Sequence, residues 1–453
     1  MQPKALPGFR DFYPADFALR AYIFRTWRTV ATRYGFEEYD GPPLEPLQLY
    51  TAKSGEEIAG QLYNFTDKGG REVALRPEMT PTLARMVAAR ANGLRKPIRW
   101  FSLPQLFRYE RQQRGRLREH FQLNCDLIGE PGPLGDAEII ALAVDALRAF
   151  GLGPADFRVR LSDRRLLNGI LRSLGFRDDQ MGLAYQALDK LGRSEYAGRK
   201  HALADAGVPA DRIANLDSLR HMKALSEVEE RFGDVGAAVA PLRVTWDALG
   251  AIGLGGFVDL DLTIVRGLAY YTGTVFELFD AQAELRAICG GGRYDDLLQA
   301  LGGVDLPALG FGMGDVVLTE LLRDRGLIPE EAPSIDVFLA GITDDDLPHV
   351  LALAHELRDA GVRAEYALSY QAVGKQLKLA DARGARLAIV IGPDDRARGE
   401  VMLKDLAGKT QSSVARDAVL SHVAGIVAGF TTEAQRTQRA QRTATDRVNS
   451  TPT

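Results

Sequence analysis

Two apolar segments, Ile98–Phe107 (IRWFSLPQLF) and Phe121–Ile128 (FQLNCDLI), stand on either side of a loop carrying Arg108, Arg111, Arg114, Arg116 and Arg118. Both segments are rich in aromatic and branched residues, which favour strands. The simplest geometry is a long antiparallel hairpin with guanidiniums at and near its tip. Arginine forks match phosphate oxygens two at a time and keep their charge. The loop therefore reads as a phosphate site, for a nucleotide or a nucleic-acid backbone. A solvated loop, salt-bridged through Glu110 and Glu119, fits the same residues.

Charge balance decides how far a nucleic-acid reading can reach. Lys+Arg 56 against Asp+Glu 60 gives a formal net charge of −4, so such a contact is a local patch rather than a field over the whole protein. A length of 453 residues suits two to three domains. The cysteines, Cys125 and Cys289, make no disulfide framework and have no metal-ligand spacing, which fits a reducing cytosol. The opening MQPKALPGFRDFYP has no apolar signal core, and no run approaches a membrane span. These features predict a cytoplasmic protein with no membrane partner and no protein-held metal.

Along the chain, Ala15–Tyr34 has helical apolar spacing closed by Gly35. A short strand, Phe36–Tyr39, follows and halts at Pro42-Pro43. Strands at Gln61–Thr66 and Glu72–Arg76 form a hairpin by their turn chemistry. Thr80 before Pro81 predicts a capped helix over Thr80–Ala91. Glu78 just upstream either holds a ligand ammonium or complements the helix N-terminus. An amphipathic helix is expected over Gly135–Phe150, then a mainly helical inserted region over about 157–250. FVDLDLTIVRGLAYYTGTVFELFD reads as two strands around a tight turn at Arg266-Gly267. A buried arginine there needs an anion, either a ligand or an internal Asp259 or Asp261. AICGGGRYDDLLQAL and LGFGMGDVVLTELL each run strand, glycines, helix, and such glycines let backbone approach a ligand or pack tightly.

The Pro/acid stretch at Glu330–Pro333 is the expected boundary between a first domain at 1–330 and an α/β domain at 334–428. Beyond it strands are expected at Ile335–Ala340, Arg363–Ala367, Leu387–Ile391 and Glu400–Asp405. Helices are expected at Leu347–Ala360, Gly374–Ala382 and Ser413–Val427. The sheet should be largely parallel. Lys375, Lys378, Arg383, Arg386, Arg396, Arg398 and Lys404 make this domain locally basic, as a solvated surface or as a phosphate-backbone surface. The polar, repetitive tail at 430–453 reads as disordered.

Taken together, these segments resemble the histidyl-tRNA synthetases, a family of class II aminoacyl-tRNA synthetases, over Leu6 to about Val427. GFRDFYP with the first helix and strand resembles motif 1, the dimer element, and FRYERQQRGRLREHFQ resembles motif 2. VRGLAYYTGTVFE and GGGRYDDL resemble the two histidine-specific signatures, LGFGMGD resembles motif 3, and VGKQLKLADARGARLAIVIG resembles the anticodon-binding domain. The resemblance implies an α+β fold, with an antiparallel sheet flanked by helices, a helical insertion and a C-terminal α/β domain. It implies ATP as substrate, Mg²⁺, L-histidine, tRNA(His) and a symmetric homodimer. It also implies a two-step reaction: the histidine carboxylate attacks the ATP α-phosphate, and the tRNA 3′ hydroxyl then takes the acyl group.

By the same resemblance, Arg108 and Arg266 are the catalytic residues, gripping the α-phosphate from opposite sides. Glu78, Met79, Thr80, Arg108, Gln122, Asp126, Arg266, Tyr270 and Tyr271 would bind histidine. Arg108, Glu110, Arg116, Phe121 and Arg266 would bind ATP, with Phe121 stacked on adenine. Gln112, Gln113 and Arg114 would meet the tRNA acceptor end. The chain departs from the family pattern at Val316-Val317, where motif 3 usually has Glu-Arg. It departs again at Met79, Gln112, Asp126 and Ala269. A catalytically silent relative, the histidine-sensing regulatory subunit of ATP phosphoribosyltransferase, is the alternative that the motif 3 change favours. The basic C-terminal domain argues against it.

Overall fold

The computed structural model describes residues 4–51, 60–111, 113–191, 194–265, 271–282, 285–329, 335–369 and 371–427. The chain divides into two compact units, Met1–Ile328 and Pro329–Thr453.

The first unit is built on one long sheet. Its strands are β1 (Glu37–Glu38), β5 (Ile98–Ser102), β6 (Gln105–Phe107), β7 (Glu119–Ile128), β8 (Phe157–Asp163), β9 (Val258–Leu260), β10 (Thr274–Asp280), β11 (Cys289–Arg293) and β12 (Ala308–Gly314). Their order is β1-β5-β7-β12-β11-β10-β8-β9, with β6 also paired to β7. Every pairing is antiparallel except β1 with β5 and β8 with β9. A small separate sheet joins β2 (Leu44–Pro46), β3 (Asn64–Thr66) and β4 (Glu72–Leu75).

One face of the long sheet carries the core. The helices Pro14–Arg33 and Pro133–Arg148 lie on it and bring Ile23, Trp27, Ile140 and Leu147 against Leu123, Cys125, Phe276, Phe311 and Met313. Full burial of side chains this large stabilises the fold by roughly 2 kcal/mol each. Arg293 of the GGGRYDDL segment also points to this side. It is almost wholly buried and pairs with Asp136 at 2.9 Å, while donating to the carbonyls of Glu130 and Gly132. A buried charge is tolerable only when paired and hydrogen-bonded, so Arg293 is a strut between sheet and helix. On the opposite face a smaller core covers one end only, where Leu83 and Val87 of the helix Thr80–Arg90 meet Ile98, Ile128, Tyr294 and Ala308.

Several expectations change. The expected first strand of the hairpin is two, β5 and β6, interrupted at Leu103-Pro104, because proline cannot serve the ladder there. Phe157–Asp163, assigned to the helical region, is a strand of the long sheet; helices fill 164–251 after it, beginning with Arg164–Ser173. The two strands around Arg266-Gly267 are not neighbours, since β8 lies between β9 and β10. Arg266, Tyr270 and Gln112 lie outside the described residues, as does the 430–453 tail. Met79, not Thr80, occupies the cap position of the Thr80–Arg90 helix, and no side chain caps it.

The second unit has β13 (Val337–Gly341), β14 (Ala364–Tyr366), β15 (Leu387–Ile391), β16 (Glu400–Asp405) and β17 (Thr410–Ala415) in the order β14-β13-β15-β16-β17. The first three are parallel and the last two antiparallel. The helices Leu347–Asp359 and Val373–Ala382 serve the parallel crossovers. Residues 410–415, expected in part as helix, form the polar edge strand β17, and helix resumes only at 419.

Candidate active site

Strand alternation sends successive side chains to opposite faces. On the face away from the main core, this rule exposes Gly290 and Gly292 of β11 beside Gly310, Gly312 and Gly314 of β12. They pave a floor with bare backbone. A Cβ at Gly310 would overlap the Asp126 carboxylate and stand 2.6 Å from the Cys125 carbonyl; one at Gly292 would stand 2.6 Å from the Thr274 carbonyl. A Cβ at Gly312 would overlap Gln122. The glycines are therefore what lets β7 present Gln122 and Asp126 on this face. Above the floor is a cavity of about 310 Å³, walled by Arg108, Glu110, Arg116, His120, Gln122, Tyr271, Glu277, Arg286, Val316 and Val317 among others.

At one end of the floor Asp126 is 2% exposed. Tyr294 donates its hydroxyl to Oδ1, and among the described residues nothing donates to Oδ2. Burial pushes this carboxyl up to about 7, against the lowering effect of the Tyr294 hydroxyl. Tyr271 and Glu78 are close by. Burial raises the Tyr271 phenol, and Cys289, Glu277, Glu78 and Asp126 add to the shift. A buried carboxylate with an unpartnered oxygen costs free energy, so this end is suited to a ligand N–H. Thr80 begins the neighbouring helix and is half-buried. The Met79 side chain is fully buried against Gly41 and Arg76, so it shapes this end from behind and does not wall the cavity.

At the other end lies the arginine loop. Arg108 is half-buried, and its Nε donates to the Pro77 carbonyl at 2.9 Å. Among the described residues no carboxylate pairs with it. Its neighbours behave otherwise. Arg116 is ion-paired with the buried Glu110, Arg118 lies over the Tyr109 ring at 4.1 Å, and Arg114 reaches Asp324 at 3.1 Å. Glu119 turns away from the loop to Arg10 at 2.6 Å. The salt-bridged reading of the loop thus describes Arg114 and Arg116, and the phosphate reading stays open at Arg108. Gln113 bridges to Arg116 across the loop tip. Asp259, an internal partner suggested for Arg266, is taken by Arg158 at 2.5 Å.

The structure corrects one assignment by a single residue. Phe121 faces the core side, edge-on to Phe24 with centroids 5.2 Å apart, and does not wall the cavity. His120, its neighbour on β7, does. The order His120-Phe121 is what a residue count cannot interpret without knowing which parity faces the site. Burial drives His120 down to about 3, with Arg108, Arg10 and Arg116 adding to it, so it is a neutral ring at physiological pH. Arg286 also walls the cavity and had no distinguishing signal in the sequence. Among the described residues, no cluster of three His, Cys, Asp or Glu could hold a metal ion.

A family model described as histidyl-tRNA synthetase matches residues 8–315, and one described as an anticodon binding domain matches 336–425. The chain is 47% identical to a histidine–tRNA ligase of Opitutus terrae over 93% of this chain and 98% of that protein. It is 42% identical to one of Natronomonas pharaonis over 90% of this chain and 95% of that one. The crystal structure of a histidyl-tRNA synthetase from a Nostoc species superposes with a TM-score of 0.79 at 25% identity, covering 94% of this chain and 99% of that one.

Proposed function

The chain belongs to the histidyl-tRNA synthetase family, and from that premise we infer that it activates L-histidine with ATP and then transfers histidine to tRNA(His). The observation that carries this reading is the pairing at the two ends of one glycine floor. At one end stands Arg108, which pairs with no carboxylate among the described residues; at the other stands Asp126, a buried carboxylate with one oxygen that has no partner among the described residues.

In the first step the histidine carboxylate oxygen forms a bond to the α-phosphorus as the bond to the bridging oxygen breaks and pyrophosphate leaves. In the second, the 3′-terminal hydroxyl of tRNA attacks the acyl carbon of histidyl-adenylate, AMP leaves, and the hydroxyl proton passes to the AMP phosphate or solvent. No protein nucleophile is needed. The chain's residues supply position and charge. Arg108 holds the α-phosphate and the histidine carboxylate, a role the family resemblance shares with Arg266. Glu78 and Thr80 take the ammonium with Gln122. Asp126 and Tyr271 take the imidazole, and the family resemblance adds Tyr270 to this pocket. His120 gives adenine a flat, uncharged face, and the Arg116–Glu110 pair fixes the wall around it. Mg²⁺ would need a carboxylate beside the substrate phosphates. The buried Glu277 on the cavity wall is a carboxylate suited to it, and the ion would neutralise charge on the outgoing pyrophosphate. A polar site of this kind excludes amino acids that leave its groups unpaired.

Gln112, Gln113 and Arg114 at the loop tip are our candidates for the acceptor end. Residues 336–425 are our candidates for the anticodon. There Arg363, Arg383 and Arg396 are paired with Asp336, Glu365 and Asp346, whereas Lys375, Lys378 and Lys404 have no ion pair among the described residues. We further propose a symmetric homodimer, supported by the exposed apolar Leu6, Tyr13 and Phe17 at the start of the first helix and just before it. We also propose a cytoplasmic location; no described helix is long and apolar enough to cross a membrane. A histidine-sensing regulatory role gives no reason for a domain matching anticodon binding.

The test is exchange of labelled pyrophosphate into ATP with Mg²⁺ and each of the twenty amino acids singly. Exchange with histidine alone is expected. Histidine binding without exchange would overturn the reading.

A further inference from the structure

Tyr39 follows directly on β1, and its backbone N–H donates to the Phe101 carbonyl at 2.9 Å. Its ring lies against Trp100, with centroids 5.4 Å apart. Trp100 stands directly across from Asp126 in the ladder of β5 with β7, and Ser102 follows two residues later on the same face. Tyr39, Ser102 and Asp126 are thus gathered at one end of the glycine floor. Among the described residues, the Tyr39 hydroxyl, the Ser102 hydroxyl and Oδ2 of Asp126 are each buried without a hydrogen-bond partner.

A buried polar atom left in this way bears the full cost of its desolvation, and such atoms are few in a folded protein. Here their characters are complementary. A hydroxyl donates once and also accepts, whereas a carboxylate oxygen only accepts. A chain from Ser102 to Tyr39 to Asp126 satisfies all three. The electrostatics run the same way. Burial raises the Tyr39 phenol and the Asp126 carboxylate adds to the rise, while the Ser102 hydroxyl lowers it, as a donor to the phenol oxygen does. The titratable groups around Asp126 among the described residues are Tyr39, Tyr271, Tyr294, Cys125 and Glu78. None is a cation, so hydroxyl donors alone support its charge.

We propose that Tyr39 is a positioning residue for histidine recognition: with Ser102 behind it, its hydroxyl donates to the ionised Asp126 carboxylate. Tyr294 then holds Oδ1, Tyr39 takes one lone pair of Oδ2, and the second lone pair of Oδ2 is left for the imidazole N–H. The Asp126 side chain turns about only two bonds, so two hydroxyls fix where that lone pair points. The inference rests on the reading that histidine meets Asp126.

The test is calorimetric binding of histidine and of AMP to the full chain and to Tyr39→Phe, which keeps the ring against Trp100 and removes only the hydroxyl. At about pH 7.5 histidine affinity should fall about tenfold, as for loss of one hydrogen bond to a charged group. AMP affinity should change by less than about twofold, which also reports an intact fold. A hydroxyl that donates to a carboxylate holds its titration down, so in Tyr39→Phe the pH above which histidine affinity levels off should move up by about half a unit or more. Ser102→Ala should move both readings in the same direction by less. In an Asp126→Asn background, Tyr39→Phe should cost histidine affinity less than about twofold, because the amide has no charge to support. A packing role for Tyr39 would cost the same in either background. Wild-type affinity and pH profile in Tyr39→Phe, or an undiminished loss in the Asp126→Asn background, would overturn the proposal. A loss in Asp126→Asn with none in Tyr39→Phe would overturn it while leaving the histidine reading standing. Wild-type affinity in Asp126→Asn would instead overturn the placing of histidine at Asp126.

Discussion

The two faces of the long sheet are made from the same strands and share nothing else. On β11 and β12 the side toward Pro133–Arg148 carries Cys289, Phe311 and Met313, all buried in the main core. The residues between them are Gly290, Gly310, Gly312 and Gly314. Glycine in a strand costs roughly 0.5–1 kcal/mol relative to alanine, a cost repeated along the pocket face and offset by the core face. The difference teaches that a period of two lets one stretch of sequence encode stability and ligand access independently. Substitutions one residue apart should therefore fail in different ways.

Two variants on β12 test that separation. Phe311→Ala should lower stability by about 3–5 kcal/mol, read by denaturant unfolding, with KM for histidine within about twofold of wild type at a temperature where both are folded. Gly310→Ala should do the reverse in emphasis. Its methyl displaces Asp126, so histidine-dependent pyrophosphate exchange should fall about 100-fold, about 2.7 kcal/mol in transition-state terms. The fold should survive with a loss of about 1–3 kcal/mol. If Gly310→Ala exchanges pyrophosphate normally, the glycine face is not where histidine binds.

A smaller effect sharpens the chemistry at Asp126. Its carboxyl is raised to about 7, and free imidazole titrates near 6.5. Below about pH 6 the free protein and the free ligand each hold a proton at these groups. The complex can keep at most one between them, so binding releases a proton. Histidine affinity should then weaken by up to about tenfold per pH unit below 6 and level off above 7. Calorimetry in buffers of different ionisation enthalpy would show the released proton. Asp126→Asn should bind histidine more weakly at pH 8 and lose this slope; a slope that persists in the variant would place the titration elsewhere.

Much of this arrangement was legible in the chain, and the gaps have physical causes. The arginine hairpin and the glycine-bearing strands were readable because aromatic, branched and glycine residues sit in short bounded runs. Strand β8 was legible too, since Phe157, Val159 and Leu161 alternate with Arg158 and Arg160, but the helical sequence after it drew the boundary forward. The separation of β9 from β10 was not legible: β8 enters between them from about a hundred residues away, and no local pattern records that. Edge strand β17 is almost entirely exposed, so it has no apolar alternation to read. Arg286 could be singled out only once the cavity wall was known.

The smallest predicted effect concerns the pair His120 and Phe121, which divide the two faces between them. Phe121 packs against Phe24 and under the Arg20 guanidinium, 4.9 Å from its centroid. His120 faces the cavity, held down to about 3 by burial and then by Arg108, Arg10 and Arg116. Because it is uncharged from pH 5 to 8, it can serve as a ring against adenine without adding to the positive charge at the phosphates. His120→Phe keeps a flat ring there and removes only the ring nitrogens. ATP affinity should change by less than about threefold, within the range of one aromatic contact, and should stay flat with pH as it does in the wild type. Phe121→His instead puts a polar ring in the aromatic cluster on the core side and should cost stability with little change in ATP affinity. If His120→Phe weakened ATP strongly and made its binding pH-independent where the wild type varied, His120 would be acting as a hydrogen-bonding or charged group. His120 would still face the cavity, but not as a neutral platform.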